Sequence, residues 1–168
     1  GKPVEKDKSF SRHVGYLPQK FGMYQHLTLN EMLLLIANMK GLDDKSARES
    51  VEKALRLVNL TDCAEKKVKA LSGGMVRRAG IAQTLLGDPD ILIFDEPTAG
   101  LDPEERLRFQ SIISEIKKDK IILISTHIVE YVHAVCETVA VMRDGKIIKS
   151  GTREEMAACA EGKTYIID

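Results

Sequence analysis

The sequence predicts an α/β fold in which helices flank a parallel sheet. Two short apolar runs, at residues 91–94 and 120–125, have the length and composition of strands that are buried on both faces. Two helical patterns with N-terminal capping signals lie on either side of the first apolar run, at residues 75–86 before it and at residues 102–118 after it. The longer segment 28–70 contains only helical patterns, so an all-helical insert is expected beside the sheet.

Composition limits the classes of protein to which the chain can belong. Its 168 residues are 43% hydrophobic and 30% charged, which is typical of a soluble globular domain with a sizeable core. Lys plus Arg and Asp plus Glu number 25 each, so no net basic charge favours nucleic acid as a partner. The three cysteines are scattered, which fits reduced thiols in a cytosolic compartment and argues against a zinc site.

Capping residues and apolar spacing predict the elements of the first half. A short strand is expected at residues 13–17. Thr28 and Glu31 have the spacing of a capping box at the start of a helix. Asp43 or Asp44 caps a second helix, whose predicted apolar face consists of Ala47, Val51, Ala54, Leu55 and Val58.

The second half is predicted by the same signals. Asp102 is an N-cap residue followed by proline at N1 and glutamate at N3, which favours a helix start. Strands at 138–142 and 146–149 are joined by an Asp-Gly pair, a typical hairpin turn. Thr152 and Glu155 begin the last predicted helix.

Two adjacent carboxylates, Asp95 and Glu96, follow the apolar run at 91–94, and Pro97 ends the strand. Ligands of open α/β sheets bind at the carboxyl ends of strands. Magnesium prefers one or two carboxylates together with water and phosphate oxygens. The alternative is a strand that enters solvent through two charged residues, and the pair alone does not decide between these interpretations.

The acid pair is one of five short motifs that occur in a fixed order along the chain. They are Gln19 in a loop after a strand, LSGG at 71–74, ILIFDEP at 91–97, AGLD at 99–102, and His127 after a strand. Each is weak alone, because a Ser-Gly-Gly is ordinarily a helix cap and a lone histidine is ordinarily structural. Together they resemble the C-terminal two-thirds of the nucleotide-binding domain of an ABC transporter. That resemblance implies a truncated P-loop NTPase-like sheet with an all-helical signature subdomain.

The resemblance implies roles for the matching residues. Asp95 would hold Mg²⁺ against the β- and γ-phosphates of ATP, and Glu96 would be the catalytic base that polarises the attacking water. His127 would contact the γ-phosphate. Gln19 would sense that phosphate and Mg²⁺, and its loop would contact transmembrane permease subunits on the cytoplasmic face of the membrane.

The resemblance also implies a partner chain. Ser72, Gly73 and Gly74 would present backbone N–H groups at a helix N-terminus to the ATP of a second nucleotide-binding domain. Asp102 would cross the same head-to-tail dimer interface. Met75 replaces the more familiar glutamine and cannot supply its amide. The LSGGM and EPTAGLDPEER segments are most similar to those of drug or ABC-2-type exporters.

Three parts follow from the resemblance. Residues 1–27 would be an N-terminal segment with the Q-loop, residues 28–87 a helical subdomain with the signature, and residues 88–168 the core α/β part with Walker B, D-loop and H-loop.

The phosphate-binding loop G-x-x-x-x-G-K-[ST] is absent from the sequence. Gly162-Lys163-Thr164 matches its end, but Ala157 occupies the place of the first glycine and a strand-like segment, 165–167, follows instead of a helix. We therefore expect a fragment of a longer ATPase, inactive alone.

Three alternatives remain open. Nucleic-acid-associated ABC ATPases insert long coiled coils or zinc modules before the signature, whereas about 50 residues with short capped helices lie here. A non-catalytic module that docks on membrane helices is a second alternative, against which Asp95, Glu96 and His127 argue. An unrelated doubly wound binding domain would leave the order of the motifs unexplained.

Overall fold

The computed structural model describes residues 10–158, which form two compact units, one up to Thr126 and the other from His127. The predicted strand at 165–167 and the Gly-Lys-Thr segment at 162–164 lie outside the described residues. Within the described part of the chain, no helix is long and apolar enough to cross a membrane.

The first unit contains a three-stranded parallel sheet, as predicted. Its strands are β1 (Val14–Leu17), β2 (Ile91–Asp95) and β3 (Ile121–Ser125), in the order β1-β2-β3. Phe94 of β2 pairs with Leu17 of β1 and with Ile124 of β3. The carboxyl ends of the three strands therefore lie at one edge of the sheet.

Two helices, α3 (Gly73–Leu85) and α4 (Pro103–Ile116), lie on one face of this sheet: α3 packs on β1, and Phe109 of α4 contacts Phe94 of β2. The ring of Phe94 meets that of Phe109 edge-on, with centroids 5.6 Å apart. At Gly15, α3 comes so close to β1 that a Cβ would lie 2.2 Å from the Thr84 carbonyl oxygen. Glycine is therefore required there, and Leu92 and Phe94 become completely buried.

The other face of the sheet is exposed, so the prediction of strands buried on both faces is wrong. Tyr16, Ile121 and Leu123 are 51%, 67% and 61% exposed, and Ile93 is partly exposed. These side chains alternate with buried ones along β1 and β2, and with partly buried ones along β3. Because α3 and α4 both pack on the face of Leu92 and Phe94, the opposite face is left to solvent.

The predicted all-helical insert precedes α3. It consists of α1 (Leu29–Met39), α2 (Asp44–Leu57) and two 3-10 turns at Thr61–Cys63 and Val68–Ala70. The capping box of α1 and the Asp43 cap of α2 are confirmed, and every residue of the predicted apolar face of α2 is buried. Since α1, α2 and β1 all contact α3, that helix joins the insert to the sheet.

The second unit contains a hairpin between two helices. Its elements are α5 (Val129–Val135), β4 (Thr138–Arg143), β5 (Lys146–Thr152) and α6 (Arg153–Ala158). Asp144 and Gly145 both have positive φ, 49° and 73°, which confirms the predicted tight turn. Thr152 and Glu155 exchange the two hydrogen bonds of a capping box.

Candidate functional site

Asp95 is the last residue of β2, at the carboxyl edge of the sheet. The parallel register places it beside Ser125, the last residue of β3. The Ser125 hydroxyl donates a hydrogen bond to Asp95 Oδ1 at 2.5 Å. Asp95 is partly exposed, so this contact fixes one carboxylate oxygen while the side chain still reaches solvent.

Glu96 begins the acid turn (residues 96–98) in a left-handed backbone conformation, with φ of 46°. For a residue with a Cβ this conformation costs on the order of 1–2 kcal/mol, so surrounding contacts must hold it. The Glu96 N–H donates to the Ser125 carbonyl oxygen at 3.1 Å and lies 3.2 Å from its hydroxyl. The end of β3 therefore anchors the start of the acid turn.

Arg77 reaches the acid turn from α3. Its guanidinium donates to the carbonyl oxygens of Pro97 at 2.7 Å, Glu96 at 2.6 Å and Gln19 at 3.1 Å. It also lies over the ring of Phe21, 5.6 Å from the centroid. Arg77 thus brings the backbone of predicted site residue Gln19 to that of Glu96.

The sequence alone does not identify Arg77 as a site residue. Its partners are backbone carbonyl groups, which every residue type possesses, so the partners leave no pattern in the sequence. The available signal is a basic residue three positions after Gly74 on the signature helix, which is also typical of an exposed helix face.

The signature segment forms the N-terminus of α3. This helix begins at Gly73, two residues earlier than predicted, because Ser72 is the N-cap and its hydroxyl accepts the Met75 N–H at 3.3 Å. Apart from Gly73, its two chain neighbours and the adjacent backbone of α3, no heavy atom of the described residues lies within 4 Å of the position that a Cβ of Gly73 would take. A Cβ on Gly74 would lie 2.9 Å from the carboxyl carbon of Glu105. Gly73 therefore leaves room for an anion at a helix N-terminus.

Asp102 is the N-cap of α4, where its Oδ1 accepts the Glu105 N–H at 2.9 Å. Because Glu105 also contacts Gly74, Asp102 lies on the same side of the unit as the signature. Capping alone explains an aspartate at this position, so a role across an interface stays a prediction. His127 follows β3 by two residues, at the start of the second unit.

The ligand chemistry near Asp95 fits Mg²⁺ better than a transition metal. The donors are carboxylate and hydroxyl oxygens, which Mg²⁺ prefers. In residues 10–158 no group of three His, Cys, Asp or Glu side chains could hold a metal ion. Water and phosphate oxygens would have to complete the coordination.

Comparison with known protein families matches residues 1–99 to the family described as "ABC transporter". The chain belongs to the ABC transporter family. It is 37% identical over 145 residues to the uncharacterised ABC transporter ATP-binding protein YxlF of Bacillus subtilis, covering 86% of this chain and 49% of that protein.

Further relatives have more specific descriptions. The linearmycin resistance ATP-binding protein LnrL of Bacillus subtilis is 32% identical, with 99% of this chain and 53% of that protein covered. The Nod factor export ATP-binding protein I of Burkholderia orbicola is 37% identical, with 90% and 50% covered. The 168-residue chain thus spans about half the length of these relatives.

A solved structure supports the same family and the α/β fold. CbiO1 from Clostridium perfringens, described as part of the ABC transporter complex cbiONQ, aligns with a TM-score of 0.79 and 29% identity. The alignment covers 88% of this chain and 60% of that one. The three relatives named above are all described as ATP-binding proteins.

Proposed function

We propose that this chain is part of an ATP-binding subunit that hydrolyses ATP to drive transport by an ABC transporter. The observation that carries the proposal is the Asp95–Glu96 pair at the carboxyl edge of the sheet, anchored to Ser125. Parallel α/β sheets bind their ligands at this edge. We infer that the ligand is ATP because the chain belongs to the ABC transporter family.

The two carboxylates have different roles in this proposal. Asp95 and the nearby Ser125 hydroxyl supply oxygen atoms of the kind that would hold Mg²⁺ at the phosphates of ATP. When bound, Mg²⁺ neutralises charge on the phosphate oxygens. Glu96 accepts a proton from the attacking water or orients that water, which requires its carboxylate to lie within hydrogen-bond reach.

The remaining predicted residues have separate roles in this proposal. Gln19 senses the γ-phosphate and Mg²⁺, and His127 contacts that phosphate. The Ser72–Gly74 segment binds ATP of a second nucleotide-binding domain in a head-to-tail dimer, with Asp102 at the same interface. The open space around Gly73 and the N-terminus of a 13-residue helix support an anion site there.

Transport and location belong to the same proposal. Two relatives are described as resistance and export proteins, and CbiO1 is described as part of a transporter complex. We infer an exporter of the drug or ABC-2 type. Its permease subunits are contacted through the Gln19 loop (residues 18–27), at the cytoplasmic face of the membrane. The division into residues 1–27, 28–87 and 88–168 is kept as part of this proposal.

Hydrolysis is assigned to a longer polypeptide, because the sequence lacks a phosphate-binding loop. The 168-residue chain alone is expected not to hydrolyse ATP. A polypeptide with the length of the relatives and a G-x-x-x-x-G-K-[ST] loop is expected to do so.

The experiment compares that longer polypeptide with its Glu96→Gln variant. Loss of the carboxylate removes the general base, so kcat should fall by about 10²–10⁴-fold while ATP binding is retained. Phosphate release gives kcat, and a fluorescent ATP analogue gives the Kd. Turnover by the 168-residue chain that disappears on Glu96→Gln would contradict the assignment to a longer polypeptide.

The alternatives predict other results in the same preparation. A DNA-associated ATPase would bind duplex DNA with an affinity that falls steeply with salt, because phosphate contacts release counterions. A docking module would bind detergent-solubilised permease without any ATP turnover. Either result would replace the proposed function.

A further inference from the structure

The guanidinium of Arg77 connects two segments that lie far from α3 in the sequence. One is the Gln19 loop, which follows β1, and the other is the acid turn after β2. The contact to the Gln19 carbonyl oxygen is 3.1 Å, and those to Glu96 and Pro97 are 2.6 and 2.7 Å. One side chain of α3 therefore holds both loops at once.

The Gln19 loop has a second contact with the same helix. The Phe21 ring lies beneath the Arg77 guanidinium, and it packs so tightly on Gly80 that a Cβ there would be 2.5 Å from the ring. These two contacts lie one helical turn apart on α3. The Gln19 loop is thereby attached to α3, the helix that begins with the signature.

Electrostatics distinguish this contact from an ordinary surface ion pair. The Arg77 hydrogen bonds described above go to neutral carbonyl groups. Burial lowers the pKa of the Arg77 guanidinium, while the nearby Asp95 carboxylate raises it. Arginine suits this position because its planar group donates to several acceptors at once, which a lysine ammonium on a flexible stem does less well.

The acid turn is held from both sides at Glu96. Its N–H donates to Ser125 at the end of β3, and its carbonyl oxygen accepts from Arg77. Both peptide groups that flank the Glu96 Cα are thus fixed, in a left-handed conformation that an unsupported glutamate would leave. The direction in which the Glu96 carboxylate leaves the backbone depends on these two contacts.

We propose that Arg77 is a positioning residue for ATP hydrolysis: it fixes the backbone of Glu96 and makes that geometry depend on the Gln19 loop and α3. Arg77 itself touches no reacting atom. This inference rests on the proposed function, because it assigns a consequence to the orientation of the proposed base. A displacement of α3 or of the Gln19 loop would loosen the acid turn and slow hydrolysis.

The test uses the longer polypeptide with its phosphate-binding loop. In Arg77→Gln, the side chain no longer bridges the two loops, and kcat at saturating Mg-ATP should fall between about tenfold and hundredfold, as expected for a misplaced catalytic group. The Kd for a fluorescent ATP analogue should stay unchanged. Arg77→Lys keeps the charge but not the planar fork, so its kcat should lie between those of Arg77→Gln and the unmodified protein.

Lys40→Gln is the matched control. The Lys40 ammonium is partly buried, burial lowers its pKa, and it donates to the Leu86 carbonyl oxygen at 2.8 Å. It resembles Arg77 as a cation that binds a backbone carbonyl, but at a different place on the unit. The loss of this contact should lower the Tm and leave kcat unchanged.

The outcomes separate the inference from the proposed function. An unmodified polypeptide without ATPase activity refutes the proposed function and, with it, the inference. If the unmodified protein is active, an Arg77→Gln variant with normal kcat refutes the inference alone. So does a loss of kcat matched by an equal loss of ATP affinity, or one no larger than in Lys40→Gln. If Arg77→Gln does not fold, the kcat and Kd of Arg77→Lys decide in the same way.

Discussion

Thr98 is completely buried, directly after Pro97 in the acid turn. Within the described part of the chain, its hydroxyl has no hydrogen-bond partner. A buried polar group without a partner costs about 1–3 kcal/mol relative to one that is satisfied. The methyl group of Thr98 therefore contributes packing, while the hydroxyl lowers the stability of the unit.

This asymmetry predicts the effect of Thr98→Val. Valine has nearly the same shape and no polar atom to bury, so the free energy of unfolding should rise by on the order of 1 kcal/mol. Thr84→Val is the control, because the equally buried Thr84 hydroxyl donates to the Ile81 carbonyl oxygen at 2.7 Å. That variant should lose stability. Urea denaturation measures both, and a loss in Thr98→Val as large as in Thr84→Val would contradict the prediction.

A site residue can be predicted from the sequence only where its own type and its position in the sequence pattern indicate its role. Asp95 and Glu96 are predictable as site residues, because acids directly after an apolar run point to the edge of a sheet. The sequence does not predict that Ser125 and Arg77 contact these acids. The contact of Ser125 with Asp95 depends on the strand register, and the contacts of Arg77 are to carbonyl groups of distant residues.

Among the elements, helix starts were the most predictable features. The caps at Thr28, Asp43 and Asp102 are each made by hydrogen bonds that reach three residues along the chain. The sequence pattern predicts a start of α3 that is two residues too late, because glycine is a poor helix former. The Ser72 cap outweighs that preference and draws Gly73 and Gly74 into the helix.

Hydrogen bonds and ion pairs connect the loop between α3 and β2 to Lys120, the residue before β3. Lys120 donates to the Asp88 carboxylate at 2.9 Å and to the Pro89 carbonyl oxygen at 2.7 Å, and Lys53 lies 3.8 Å from Asp88. The hydrogen bond from Lys120 is the largest of the effects that lower the pKa of Asp88. Since the Asp88 side chain is 70% exposed, solvent screens these contacts.

Asp88→Asn tests this electrostatic contribution, because asparagine also tolerates the left-handed backbone of this residue. When the pKa of a carboxyl group is lower in the folded than in the unfolded state, the group stabilises the protein at pH values above its unfolded-state pKa. This stabilisation is lost as the pH falls through the folded-state pKa. The variant should therefore be less stable by about 0.5 kcal/mol near pH ~7, with no difference near pH ~2.

Asp119→Asn is the control for Asp88→Asn, because Asp119 is also an exposed aspartate with positive φ. It isolates the backbone effect of the substitution. Urea denaturation across the pH range measures all three proteins. A stability difference for Asp88→Asn that persisted undiminished at the acid limit would show that the contact with Lys120 is not its cause.

For the whole molecule, the exposed sheet face is the main departure from the sequence prediction. The apolar runs predict that both faces are covered, yet α3 and α4 lie on one face only. Apolar composition shows that a strand is suited to burial, but it does not show which segment supplies the cover. Exposed apolar faces of this kind are unusual in soluble monomers.

The exposure of Leu123 leads to a prediction that depends on the length of the polypeptide. Leu123→Thr in the 168-residue chain removes a side chain that is 61% exposed, and threonine favours strands, so the cost should be under about 0.5 kcal/mol. If the longer polypeptide covers this face, the same substitution should cost about 2–4 kcal/mol there.

Leu92→Thr is the control for Leu123→Thr, because Leu92 is completely buried on the opposite face of the same sheet and should be costly in both polypeptides. Denaturant unfolding of the four variants gives the comparison. An equal, small cost of Leu123→Thr in both polypeptides would mean that this face stays exposed.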